Sequence, residues 1–264
     1  MNKIGIMQGR VLPDSTEKLQ VFPKKWKEEL LVIKKLGFDC LELLDDKKFS
    51  FRMVLKEENS RLFSKINSGG LECGSVCMDH LCDYSLLKNE RLFFEKIDEL
   101  VDEIKERNFI FIIPFFDENK LSGKEELNPA LRKLSKYENS LGSNKLSLEI
   151  DLPAEAIKKE LDKFNFRNIG ICYDTGSRIG QGADLKKEIE LLSDYINHVH
   201  IKYKEGGENI RIKKNFFKLE KAFSSLKKIN YKGLMILETC IKPIPEEEAR
   251  INLATVREYV NKKI

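Results

Sequence analysis

Short apolar or β-branched runs alternate along this chain with longer amphipathic runs rich in Lys and Glu. Eight of the short runs read as strands by length and periodicity: Lys3–Gln8, Asp39–Leu44, Leu71–Met78, Phe109–Phe115, Lys145–Ile150, Asn168–Asp174, Ile196–Lys202 and Gly233–Thr239. Between them, apolar positions at helical spacing predict helices over Trp26–Leu36, Phe51–Asn67, Glu90–Arg107, Lys124–Leu141, Ala154–Phe164, Leu185–Tyr195 and Phe216–Ile229, with Glu246–Val260 last. Gly37, Gly69–Gly70 and Gly233 fall where a helix gives way to a strand, the place for a left-handed cap. Pro153 and Pro245 sit at first turns. Eight strand–helix units in about 260 residues is the size of a (β/α)8 TIM barrel. A single barrel domain over residues 1–264 is therefore expected. The rival, a doubly wound sheet, would show a glycine-rich phosphate loop after the first strand, and Gly9–Arg10 is no such fingerprint.

Polar residues inside the strands point to the chemistry. Four runs carry a metal-binding residue type at or near the C-terminal end: LSLEID with Glu149, ICYDTG with Asp174, HVHIK with His200 and MILETC with Glu238. Strand side chains alternate between faces. Leu146, Leu148 and Ile150 share one face, as do Val199, Ile201 and Tyr203, which suits an outer helix layer. Ser147, Glu149 and Asp151 then face the barrel mouth, as do His198, His200, Lys202 and Lys204. Glu238 follows Leu234 and Ile236, which would fill the interior below it. These are the fifth to eighth strands, neighbours in a ring, so their inward ends can converge. Three carboxylates and one imidazole favour Mn2+, Mg2+ or Co2+ over Zn2+, with Mn2+ the first expectation. His198 lies a layer deeper than His200 and suits a hydrogen-bonded supporting role. His80, in MDHLCD after the third strand, either lines the pocket or is a loop histidine. Arg10, Arg178, Lys202 and Lys204 are the cations at strand ends that could meet a substrate or its phosphate; Lys202 shares the inward face with His200.

Composition narrows the classes. Charged residues make up 34% of the 264 residues, spread along the chain, and net charge is only +4. No dense basic stripe is interleaved with aromatics, so no nucleic-acid partner is expected. No apolar run approaches the roughly 20 residues of a membrane helix. MNKIGIMQGR reaches a glycine and a charge too soon for a signal peptide. Most of the six cysteines lie in apolar runs, where a thiol packs as a small hydrophobe, and Cys73 and Cys77 lack a matching partner pair for zinc. A reduced, cytoplasmic protein is the expectation. Only three histidines are present, too few for the multi-zinc cluster of DNA-repair endonucleases built on this fold.

The opening IGIMQGR…QVFPKKWKEELLVIKKLGFDCLELL, then SVCMDHLCDYSL, SLEIDLP, NIGICYDTGS, HVHIK and NYKGLMILET, resemble in order the sugar phosphate isomerase/epimerase group of the xylose-isomerase-like TIM barrels. The resemblance spans essentially the whole chain. It implies one divalent metal held by Glu149, Asp174, His200 and Glu238, with Glu149 and Glu238 also moving protons in relatives that epimerise ketoses. A small-molecule sugar or sugar phosphate is the implied partner, and a homodimer is compatible with it. Three departures stand out: Ser177 where many relatives have Asn in DTGN, Tyr203 where they have Asp in HIKD, and GGENIRIKKNFF in place of an LGxG stretch. These leave open two other functions: a dehydratase of the same superfamily acting on a polyol or keto acid, and a barrel that binds a sugar phosphate without turnover.

Overall fold

The computed structural model describes residues 2–12, 22–48, 50–58, 61–104, 108–239 and 244–262. Cys240, and residues 59–60 and 105–107 of two predicted helices, lie outside them. Eight parallel strands close a barrel: β1 (Ile4–Met7), β2 (Cys40–Leu44), β3 (Glu72–Cys77), β4 (Ile110–Pro114), β5 (Lys145–Glu149), β6 (Ile169–Asp174), β7 (Ile196–Ile201) and, after a short hairpin, β10 (Met235–Leu237). The ring closes where β1 pairs with β10 at Ile4–Met235 and with β2 at Gly5–Cys40. Helices alternate with the strands: α1 (Trp26–Leu36), α2 (Ser50–Glu58), α3 (Arg61–Ser68), α4 (Glu90–Glu103), α5 (Lys124–Leu134), α6 (Ala154–Leu161), α7 (Thr175–Gly180), α8 (Leu185–Leu191), α9 (Phe217–Lys228) and α10 (Pro245–Asn261). This is the (β/α)8 TIM barrel expected from the alternating runs. Among the described residues, no helix is long and apolar enough to cross a membrane.

Strand alternation sorts the apolar side chains into two clusters. Leu41, Leu43, Phe111, Leu146, Leu148, Val199 and Ile201 pack outward with the helices. Met7, Cys40, Leu44, Cys77, Ile112, Cys172 and Ile236 fill the barrel interior. A Cβ on Gly5 would lie 2.5 Å from Cys40 Sγ and 2.6 Å from Ile236 Cδ1, so only glycine lets the interior close at that level. The cysteines among the described residues are free, and burial pushes the Cys40 and Cys172 thiols up to about 12, which leaves them unreactive.

Over the predicted helix Phe51–Asn67 the described residues are helical as α2 and α3, on either side of residues 59–60, and Phe51, Leu55, Leu62 and Ile66 are buried in one continuous phase. Two elements differ from the sequence reading. The short α7 directly after β6 was not expected. Nor was the antiparallel hairpin of β8 (Tyr203–Glu205) and β9 (Glu208–Ile210). Its two-residue loop is Gly206 at φ 60° and Gly207 at φ 87°, the double left-handed turn that glycine pairs favour.

Candidate metal centre

The C-terminal ends of four strands bring Glu149, Asp174, His200 and Glu238 together. One potential ligand atom from each lies within 4.8 Å of the others, and all four residues are buried. Register explains the convergence. Asp174 of β6 pairs with His200 of β7, His200 pairs with Ile236 of β10, and Glu238 lies two residues beyond Ile236. Asp174 also caps α7, its Oδ1 accepting from the Ser177 N–H at 2.8 Å. Thr175 Oγ1 donates to the Lys202 carbonyl at 2.7 Å and accepts from the Lys202 N–H at 3.0 Å, tying β6 to β7. A Cβ on Gly176 would sit 2.4 Å from Lys202 Cγ. In DTGS, then, the aspartate faces the site, the threonine fixes the neighbouring strand and the glycine clears a path for the lysine. Ser177 gives the cap only its backbone N–H, so the exchange of asparagine for serine leaves this bond in place.

Two cations approach the carboxylates. Lys202 Nζ lies 2.5 Å from Asp174 Oδ2 and 2.7 Å from Glu238 Oε2, with the side chain buried. Arg10 Nη2 is 3.8 Å from Glu238 Oε1 and 3.1 Å from Met7 Sδ. The Arg10 loop is held by Glu29, fully buried, whose Oε1 accepts from the Gly9 N–H at 2.7 Å. Burial pushes the Glu29 carboxyl up to about 7.

The two glutamates of the cluster are not equivalent. Burial pushes the Glu149 carboxyl up to about 7, and the His200 imidazole only partly opposes it. Burial also acts on Glu238, but the Lys202 ammonium, His200 and Arg10 outweigh it and hold that carboxyl well below the usual range. Asp174 is likewise lowered, burial being outweighed mainly by Lys202.

The donor set fits a hard divalent cation: three carboxylates and one imidazole, at single-ion spacing. His200 is turned for it. Its Nδ1 lies 3.1 Å from Glu238 Oε2 and 3.7 Å from Glu149 Oε2 and has no hydrogen-bond partner, while Nε2 is engaged on the opposite side at 2.9 Å by Glu42 Oε1.

The other sequence candidates lie as follows. Lys202 and Arg10 adjoin the cluster. His198 is fully buried below it, its ring centroid 5.1 Å from that of His200. His80 is buried with Arg52 Nη2 at 3.1 Å and Asp45 Oδ2 at 3.1 Å, toward α2. Arg178 forks onto Glu188 with two 2.7 Å bonds and donates to the Leu152 carbonyl at 2.7 Å, so the structure pairs it with α8 and not with the cluster. Lys204 is half-buried on β8. Two carboxylates were not singled out from the sequence. Glu42, in the centre of CLELL, is hydrogen-bonded to His200 and lies 2.7 Å from His198 Nε2. Asp79 continues the inward face of β3 past Cys77; it is buried, its Oδ2 has no partner, and burial pushes it up to about 6.

A family model described as a xylose isomerase-like TIM barrel matches residues 30–259. The chain belongs to that family. Among solved structures, the 3-keto-D-glucoside 4-epimerase from E. coli superposes with a TM-score of 0.69 at 19% identity, covering 97% of this chain and 99% of its own. An L-ribulose 3-epimerase gives 0.69 at 16%, with 98% and 95% covered. The IOLI protein, solved with a bound zinc atom, gives 0.72 at 14%, with 99% of each chain covered. At these identities the likeness is one of fold. No curated protein sequence matches the chain. Within the xylose-isomerase-like family, then, the reaction of this member has to be argued from its own site.

Proposed function

We propose that this chain is a divalent-metal-dependent sugar or sugar-phosphate isomerase or epimerase that moves a proton at the carbon next to a carbonyl. The observation that carries this reading is the convergence of Glu149, Asp174, His200 and Glu238 at the C-terminal end of the barrel, the end where barrels of this type carry their chemistry. These four residues would hold the metal. When bound, it would supply a Lewis acid that polarises the substrate carbonyl and the adjacent hydroxyl.

The chain's own groups supply the proton transfers. Glu238, kept ionised by Lys202, His200 and Arg10, is suited to take the C–H proton, leaving the electron pair on the substrate as an enediolate. Glu149, whose affinity for a proton is raised by burial, is suited to return one. A pair of carboxyls whose proton affinities are pushed apart is the usual basis for such a division of labour. The two glutamates stand on β5 and β10, with β6 and β7 between them in the ring. Approach from opposite faces of the planar intermediate inverts the carbon. Transfer on one face to the neighbouring carbon converts ketose to aldose. Lys202 and Arg10 keep the buried carboxylates partly neutralised and lie close enough to meet substrate oxygens.

The test is a panel of ketoses and ketose phosphates incubated in D2O with Mn2+-loaded protein and followed by NMR. Deuterium is expected at the carbon beside the carbonyl, and is expected to vanish in Glu149→Gln and in Glu238→Gln. A product lighter by one water would show a dehydratase. Tight binding with no exchange across the panel would show a binding protein.

A further inference from the structure

The two histidines of β7 are joined through a residue 158 positions away from His200. Glu42 lies in the middle of β2 on the inward face shared by Cys40 and Leu44, and it is fully buried. Its Oε1 is 2.9 Å from His200 Nε2, and its Oε2 is 2.7 Å from His198 Nε2. A carboxylate buried this deeply is tolerated only if donors satisfy it. An ionised carboxylate only accepts, so His200, its hydrogen-bonded partner, must turn an Nε2–H toward it. That commits the His200 Nε2–H to Glu42 and leaves Nδ1 as the ring nitrogen that faces Glu238 and Glu149. Neither ring nitrogen of His198 has an aligned hydrogen-bond partner, nor has Glu42 Oε2; what joins the two side chains is the 2.7 Å approach of Nε2 to Oε2. The polar contact of that ring is therefore with Glu42.

We propose that Glu42 is a positioning residue of the metal centre. It clamps with two oxygens, fixing the tautomer and orientation of His200, and His198 anchors the second oxygen. This rests on the metal-dependent reading of the site given above. It explains both histidines of HVHIK with one device. His200 presents Nδ1 to the cluster, and His198 keeps Glu42 from swinging away from His200. The alternative is that Glu42 and His198 only satisfy each other in the barrel interior. In that case their loss alters stability and leaves ion binding untouched.

Glu42→Gln keeps the shape but accepts through one atom where the carboxylate accepts through two. Metal affinity is measured by competition against a chromogenic chelator with Mn2+ and Zn2+, after circular dichroism shows the variant folded. A 10- to 100-fold loss of affinity is expected, the range for losing a partner that orients a metal-bound histidine. His198→Leu, which removes only the anchor, should lose less. The wild-type protein gives an independent reading, because three histidines are few enough to assign individually. In the Zn2+-loaded chain, long-range 1H–15N correlation should show His200 protonated at Nε2 and metal-bound at Nδ1. Wild-type affinity in folded Glu42→Gln, or His200 bound through Nε2, overturns the clamp while leaving the metal centre standing. A wild-type protein that binds neither ion overturns the metal-dependent reading and the clamp with it.

Discussion

Lys202 offers the sharpest test of the site's electrostatics. Its ammonium lies 2.5 Å from Asp174 and 2.7 Å from Glu238 in a buried setting. Lys202→Met keeps the stem that passes Gly176 and deletes only the charge. Removing one partner of a buried ion pair leaves the other uncompensated, at about 3–5 kcal/mol. For a chain of this size each kcal/mol lowers the melting temperature by roughly 2–4 °C, so a fall of about 6–20 °C is expected in EDTA. A divalent ion bound by the same carboxylates restores the missing positive charge. At a hundred times its dissociation constant it adds about 2.7 kcal/mol, and it should bind the variant more tightly because the competing ammonium is gone. Thermal and urea unfolding, with EDTA and with Mn2+, should therefore show a large gap between variant and wild type that narrows with the ion. An equal melting temperature in EDTA would refute the charge argument. An unchanged gap with Mn2+ would refute the idea that lysine and metal answer to the same carboxylates.

Three further outcomes follow from individual residues. Glu29 has its folded pKa raised from 4.5 to about 7, so its contribution is fully present below pH 4.5 and is lost as pH rises through 7. Relative to Glu29→Gln, urea unfolding of the wild type should lose about 3 kcal/mol across that window, and parallel pH profiles would contradict it. Gly176→Ala forces a Cβ to within 2.4 Å of Lys202 Cγ and should cost about 1–3 kcal/mol by overcrowding, with weaker Mn2+ binding measured in the same chelator competition. Arg178→Ala should destabilise the fold by about 3–5 kcal/mol, because the half-buried Glu188 loses its charge partner and keeps only the Tyr173 hydroxyl. The KM for any substrate found should stay as in the wild type, and a raised KM with unchanged stability would return Arg178 to the substrate.

The barrel was legible because its strands and helices differ in period and its connections are short. The four clustered residues were legible for a related reason: a charged or imidazole side chain at an inward position near the end of an apolar strand is conspicuous. Glu42 is just as conspicuous in CLELL, since alternation places it between inward Cys40 and Leu44. It stands in mid-strand, however, and only the closed barrel reveals that β2 faces β7 across the interior. After β3 the eye falls on His80, yet period two carried past Cys77 selects Asp79, while His80 sits with Arg52 and Asp45. Arg178 follows a strand end by four residues, and nothing in the local sequence announces that Glu188 of α8 will capture it. The Gly206–Gly207 hairpin was not read from the sequence, because its flanking runs of three residues are too short to register as strands.

Elemental analysis of the purified chain after equilibrium dialysis against Mn2+ tests the centre most directly. A single divalent ion per chain is expected in the wild type, with loss of that ion in Asp174→Asn and in Glu149→Gln, both still folded. A wild type that retains no ion, or variants that retain as much as the wild type, would contradict a metal centre built from these residues.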